Sequence, residues 1–170
     1  MKVLSRQGNA RKCIICGMEN DLGLKAPFYN MEDGSVATIV KFSELHQSYP
    51  DRTHGGMVAS LLDELMGRVI WHSVDGKDNL DMFAVTMTLT VKYRKPTPYG
   101  VKVKARANYL KNTSRAYVSR GELYDMDGNL LVEAEASYIK VKPSNVAKDD
   151  ATMHEEMAYH YEKDIDEIEF

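Results

Sequence analysis

The residues best placed to do chemistry are His54, Gly55, Gly56 and, nine positions after the histidine, Asp63, with Glu64 next to it. Two glycines open an apolar helix, and a carboxylate follows about two turns later. A helix start leaves backbone N–H groups free at the positive end of the helix dipole. Such groups bind a carbonyl oxygen as it gains negative charge. A carboxylate near that oxygen can activate water or attack directly. The pattern therefore points to acyl-transfer chemistry.

The element that must position these groups is a helix from about Gly55 to His72. Its apolar residues, Met57, Val58, Leu61, Leu62, Leu65, Met66, Val69 and Ile70, cover more than half the circumference at helical spacing, so it is expected to be largely buried. The remaining face holds Gly56, Ala59, Ser60, Asp63 and Gly67, all small except the carboxylate. Such a face admits close approach by a ligand or a second subunit. Glu64 points about 100° away from Asp63 and is expected to be a structural or interface carboxylate.

Around the helix the chain alternates at strand spacing. A first strand is expected over Gly34–Phe42. The clearest runs from Phe83 to Tyr93, with Ala84, Thr86, Thr88, Thr90 and Lys92 on its second face. Pro96, Pro98 and Gly100 break the chain. Further strands are expected over 101–109, 115–124 and 130–141, with Asp127-Gly128 as a hairpin turn. One buried helix followed by a long antiparallel meander implies an α+β domain whose sheet curls around the helix. The sheet cannot cover the whole helix, which predicts oligomerisation.

The composition is that of a single globular domain of 170 residues. No apolar run reaches the ~18 residues of a membrane span, and the first residues lack the apolar core of a signal peptide. A cytoplasmic protein is therefore expected. The net charge of −3 hides an asymmetry: Lys148–Phe170 holds nine acidic residues and two lysines, leaving 20 Lys+Arg against 16 Asp+Glu in residues 1–147. A mildly basic body suits a phosphate-bearing small molecule and is too dispersed for nucleic acid. Residues 1–12 read as a flexible N-terminus. The acidic stretch carries Met153, Met157, Tyr161, Ile165 and Ile168 at helical spacing, and 143–170 reads as an acidic helical tail. The two cysteines, Cys13 and Cys16, are two ligands short of a four-residue zinc site and have no nearby histidine. They read as structural, with a metal shared across subunits or a redox pair as alternatives, and no metal is expected.

Taken together, Cys13-x-x-Cys16-Gly17-x-x-Asn20-x-x-Gly23-Leu24, the His54-Gly55-Gly56 motif with Asp63, and Tyr93-Arg94-Lys95-Pro96-x-x-x-Gly100 resemble the hotdog-fold acyl-CoA thioesterases. The likeness is to the phenylacetate-pathway thioesterase-like branch of the 4-hydroxybenzoyl-CoA thioesterase superfamily. It spans 13–142, the expected hotdog domain, an antiparallel sheet wrapped around a long central helix.

The resemblance implies active sites at a subunit interface of a homodimer or homotetramer. There the Gly55 N–H polarises the thioester carbonyl, and Asp63 of the opposite subunit acts as general base or nucleophile. Thr86 matches a place where related enzymes put a hydroxyl near the catalytic water. Gln47 or Ser48 stands where a second carbonyl contact is expected, and His54 either approaches the thioester or fixes the loop. Gly56 and Gly67 would flank the substrate, and Arg94, Lys95, Lys111 and Arg115 are candidates for the coenzyme A phosphates. Coenzyme A enters as part of the substrate, and no separate cofactor, nucleic acid or membrane partner is implied. The alternative activity is acyl-CoA binding or sensing without turnover. A hotdog hydratase fits less well, because His72 lies nine residues past Asp63.

Overall fold

The computed structural model describes residues 1–72, 81–146, 150–157 and 159–170. In chain order it places strands β1 (Val3–Arg6), β2 (Tyr29–Met31) and β3 (Val36–Lys41), helix α1 (Gly55–Gly67), then strands β4 (Phe83–Tyr93), β5 (Lys102–Asn112), β6 (Ala116–Asp125) and β7 (Leu130–Val141), and a short helix α2 (Asp150–Glu156). The strands form one antiparallel sheet in the order β1-β2-β3-β5-β6-β7-β4. It wraps the helix as expected: Val58, Leu61, Leu62, Leu65 and Met66 are fully buried against it. The contact is close at Gly121 of β6, where a Cβ would lie 3.0 Å from Met66 Cγ and 3.3 Å from Leu62 Cδ2. The polar run from Asp75 to Asp81, which reads as a loop in the sequence, lies outside the described residues except for Asp81. Among the described residues no helix is long and apolar enough to cross a membrane.

Three expectations are corrected. First, the α-helix ends at Gly67 and tightens into a 3₁₀ turn over Arg68–Trp71. The Tyr117 hydroxyl donates to the Gly67 carbonyl at 2.8 Å, an oxygen that a continuing α-helix would offer to the residue four places on. Second, β4 does not neighbour β5. It runs along the far edge beside β7, and the proline-containing connection crosses back, with Arg94 and Lys95 N–H groups bonding the Leu131 carbonyl and Gly100 N–H bonding that of Phe42.

Third, the termini are structured. Residues expected in a flexible N-terminus form β1, and Gln7 and Asn9 are fully buried. Among the described residues the tail, after a 3₁₀ turn at Pro143–Asn145, is α-helical only over α2. Beyond it Tyr159 pairs with Asn9 and Glu167 with Lys2, so the tail lies extended along the N-terminal segment. Its acidic residues meet the basic ones there: Asp164 bonds Arg6 at 3.1 Å, and Glu155 bonds Arg11 at 3.2 Å. Ile168 and Ile165 join Val3, Tyr29, Met31 and Ala37 in a second small core. The charge asymmetry of the sequence is thus largely a contact between the two ends of the chain.

Candidate active site

Asp63 stands on the small face of α1. Its carboxylate accepts hydrogen bonds from Thr86 Oγ1 at 3.0 and 3.2 Å and from the Tyr138 hydroxyl at 2.9 Å. The same hydroxyl lies 2.9 Å from the Asp63 main-chain oxygen. Thr86 reaches Asp63 from β4 at an irregularity, since the register against β7 shifts between Thr86 and Thr88 and leaves Met87 unpaired. Such bulges re-aim side chains. Tyr138 comes from β7, is 1% exposed and stacks on Tyr117 with ring centroids 4.8 Å apart. Burial, then the neighbouring Asp63 charge, push the Tyr138 hydroxyl far above its ordinary value, so it remains a neutral donor. Asp63, Gly67, Trp71, Phe83, Ala84, Thr86 and Tyr138 line a cleft of ≈ 190 Å³. A Cβ on Gly67 would rest 3.6 Å from the Tyr138 ring, an ordinary contact, so what this glycine provides is an open wall.

The other half of the motif opens elsewhere. His54 caps the helix, its Nδ1 accepting the Gly56 N–H at 2.9 Å. That bond occupies the Gly56 N–H and ties the His54 ring to the start of the helix. The Gly55 N–H has no acceptor among the described residues, while its carbonyl accepts the Tyr93 hydroxyl at 2.7 Å. Gly55 lines a second cleft of ≈ 370 Å³ with Ser48, Tyr49, Arg52, Tyr93, Arg94 and Lys95. Gln47 is turned toward Tyr99, whose hydroxyl donates to it at 2.7 Å. Arg94 forms an ion pair with Glu133 across the sheet, whereas Lys95 has no ion-pair partner among the described residues. Lys111 and Arg115 lie at the opposite end of the sheet from Arg94, near the hairpin joining β5 to β6.

Eight residues of α-helix separate Gly55 from Asp63, about 12 Å along the axis. Within one chain the free N–H and the carboxylate therefore face two different clefts. Both clefts flank β4, the edge strand, which exposes Val85, Met87 and Leu89 at 40, 59 and 37%.

Reading the sequence named Asp63, Gly55 and Thr86 as candidates but gave no role to Tyr138 and Tyr93, whose hydroxyls bond Asp63 and the Gly55 carbonyl. Tyr138 looked like core, on a face shared with Val132, Ala134 and Ala136. The signal available was chemical: a tyrosine on an otherwise small apolar face needs a partner for its hydroxyl. Glu64 is structural as expected, bonded to the fully buried Arg68 at 2.9 Å. It also lies close to both cysteines: the ligand atoms of Cys13, Cys16 and Glu64 fall within 4.8 Å of one another. A hydrogen bond from the Cys16 thiol holds the Cys13 thiol down to about 7.

Residues 52–132 match the thioesterase superfamily. The acyl-coenzyme A thioesterase THEM4 of Xenopus laevis is 26% identical over 117 residues, 68% of this chain, and the match spans half the length of that protein. A solved thioesterase superfamily protein superposes with a TM-score of 0.65 at 26% identity, covering 75% of this chain and 63% of that one. The BH2602 protein of Bacillus halodurans, solved with CoA, gives a TM-score of 0.57 at 25% identity, covering 68% of this chain and 73% of that one. The chain has the hotdog fold of these solved proteins, and its sequence similarity to the thioesterase superfamily is centred on α1 and the strands that flank its two clefts.

Proposed function

We propose that this protein hydrolyses an acyl-CoA thioester to the free acid and coenzyme A. The observation that carries the reading is the Asp63 carboxylate, held by two hydroxyl donors on the small face of α1 while a free Gly55 N–H waits in a separate cleft on the same edge. Neither cleft holds both groups, and pairing of two copies along β4 would bring the Asp63 cleft of one to the Gly55 cleft of the other. The exposed Val85, Met87 and Leu89 would be covered by the same contact.

In the assembled site the Gly55 N–H binds the thioester oxygen and stabilises its negative charge as the carbonyl carbon becomes tetrahedral, an effect worth ~3 kcal/mol for one such donor. Asp63 takes the proton of an attacking water, or attacks first and forms an anhydride that water then opens. Thr86 and Tyr138 fix the direction of its lone pairs. Collapse of the intermediate expels the coenzyme A thiolate. Lys95 and Arg52, both lining the Gly55 cleft, are suited to its phosphates. The relatives named above support the substrate class, one being an acyl-coenzyme A thioesterase and another solved with CoA.

The test is thiol release from a panel of aliphatic and aromatic acyl-CoAs by the parent protein, Asp63→Asn and Asp63→Ala. Both variants are expected to keep the fold, since Asp63 is partly exposed, and to lose turnover by more than a hundredfold. Turnover of no thioester by the parent, or unchanged turnover in the variants, overturns the reading.

A further inference from the structure

Cys13, Cys16 and Glu64 take no part in that chemistry, yet the fold gathers them. The Cys13–Gly17 segment closes as a tight turn, with the Gly17 N–H bonding the Cys13 carbonyl at 2.8 Å. A Cβ on Gly17 would lie 2.3 Å from that carbonyl oxygen, so only glycine fits the turn. Inside it the backbone N–H groups of Ile15 and Cys16 point at Cys13 Sγ, at 3.3 and 3.4 Å. Two N–H donors aimed at one sulfur favour its thiolate. The third side chain comes from 51 residues away: Glu64 Oε2 lies 3.9 Å from Cys13 Sγ.

Glu64 is itself held. Its other oxygen, Oε1, accepts Arg68 Nε at 2.9 Å, and Arg68 is 2% exposed. A buried guanidinium orienting a carboxylate while leaving its second oxygen facing two cysteines is the outer-shell arrangement of a metal ligand. Arg68 Nη2 is buried without a hydrogen-bond partner among the described residues, a donor that a thiolate in this wall would satisfy. Two thiolates, one carboxylate and one guanidinium sum to two negative charges, which a divalent cation would neutralise.

We propose that Cys13 Sγ, Cys16 Sγ and Glu64 Oε2 form a zinc site, with water as the fourth ligand. The three atoms lie within 4.8 Å of one another. A tetrahedral zinc with Zn–S near 2.3 Å places sulfurs about 3.8 Å apart, so small side-chain rotations close the site. Metal binding deprotonates both thiols and releases those protons to solvent, with no change of oxidation state. The fourth position is open because Cys13 and Glu64 are only partly buried, Glu64 being 26% exposed. The metal would staple the lead-in turn to α1 one residue from Asp63. A search for four cysteine or histidine ligands overlooks the site, because its third ligand is a helix carboxylate far along the chain.

The experiment is titration of the full chain, reduced and stripped with a chelator, with Co²⁺ and then Zn²⁺. One equivalent of cobalt is expected per chain, with thiolate-to-metal charge-transfer absorption and the visible bands of tetrahedral coordination, both displaced by zinc. Cys16→Ser should abolish the charge-transfer signature of a two-thiolate site. Glu64→Gln, which keeps a hydrogen-bonding amide beside Arg68, should weaken affinity by about 10–100-fold. Zinc should also raise the thermal midpoint of the parent but not of Cys16→Ser. Absence of saturable one-to-one binding in the reduced protein overturns the proposal, and so does binding unaltered by Glu64→Gln or by Cys16→Ser.

Discussion

Replacing Tyr138 by phenylalanine removes one oxygen atom and tests whether Asp63 works because it is held. The hydroxyl donates to the Asp63 carboxylate at 2.9 Å and lies equally close to its main-chain oxygen. A hydrogen bond to a charged group is worth ~1.5–3 kcal/mol net. At 1.36 kcal/mol per decade of rate, the full value would be a loss of about 10–150-fold. The carboxylate keeps Thr86 and is partly exposed, so water replaces some of the lost bond, and the expectation falls at the low end, about tenfold in kcat. KM should change little, because the ring does not touch the Gly55 cleft. The aromatic core should survive, since the stacking on Tyr117 involves the ring alone, and the stability loss should be about 1 kcal/mol.

The assay is steady-state thiol release, with thermal midpoints measured alongside. A merely structural role would lower the midpoint and leave kcat unchanged, whereas a positioning role lowers kcat and leaves KM unmoved. A Tyr138→Phe protein with unchanged kcat would refute the idea that this hydroxyl orients the carboxylate.

Three further perturbations probe the remaining elements. Gly55→Ala puts a Cβ 3.3 Å from three atoms of the Tyr93 side chain, its hydroxyl oxygen among them; the resulting shift of the N–H should lower kcat/KM by about tenfold, and an unaffected rate would remove Gly55 from the site. Glu19 is held down to about 2 by its hydrogen bond to Arg11, aided by Tyr159 and Lys12. A carboxylate depressed in the folded state contributes stability that is complete above its ordinary value of 4.5 and fades as pH falls toward 2. Glu19→Gln should therefore lower the thermal midpoint at neutral pH and lose less of it than the parent across that window; parallel curves would contradict the assignment. Met87→Lys places a charge on the exposed edge of β4 and should dissociate the proposed dimer, seen by sedimentation, together with loss of turnover. An intact oligomer would move the interface elsewhere.

The helix and its two candidate groups were legible because they are local. A His-Gly-Gly start, an apolar stripe and a carboxylate eight residues past Gly55 are all set by the 3.6-residue period. The four long strands were legible for the same reason at period two, with bounds off by a few residues at most. Strand order was not, since alternation says which face a residue takes and nothing about which strand lies beside it. That ordering builds the candidate site. With β4 at the edge beside β7, rather than inside the sheet beside β5, Thr86 and Tyr138 become neighbours across one pair of strands and converge on Asp63. The same placement leaves Val85, Met87 and Leu89 uncovered next to both clefts. The proposed division of an N–H donor and a base between two copies requires those groups near an edge that another copy can join. The crossover of residues 94–101, which the prolines mark only as a break, creates that edge.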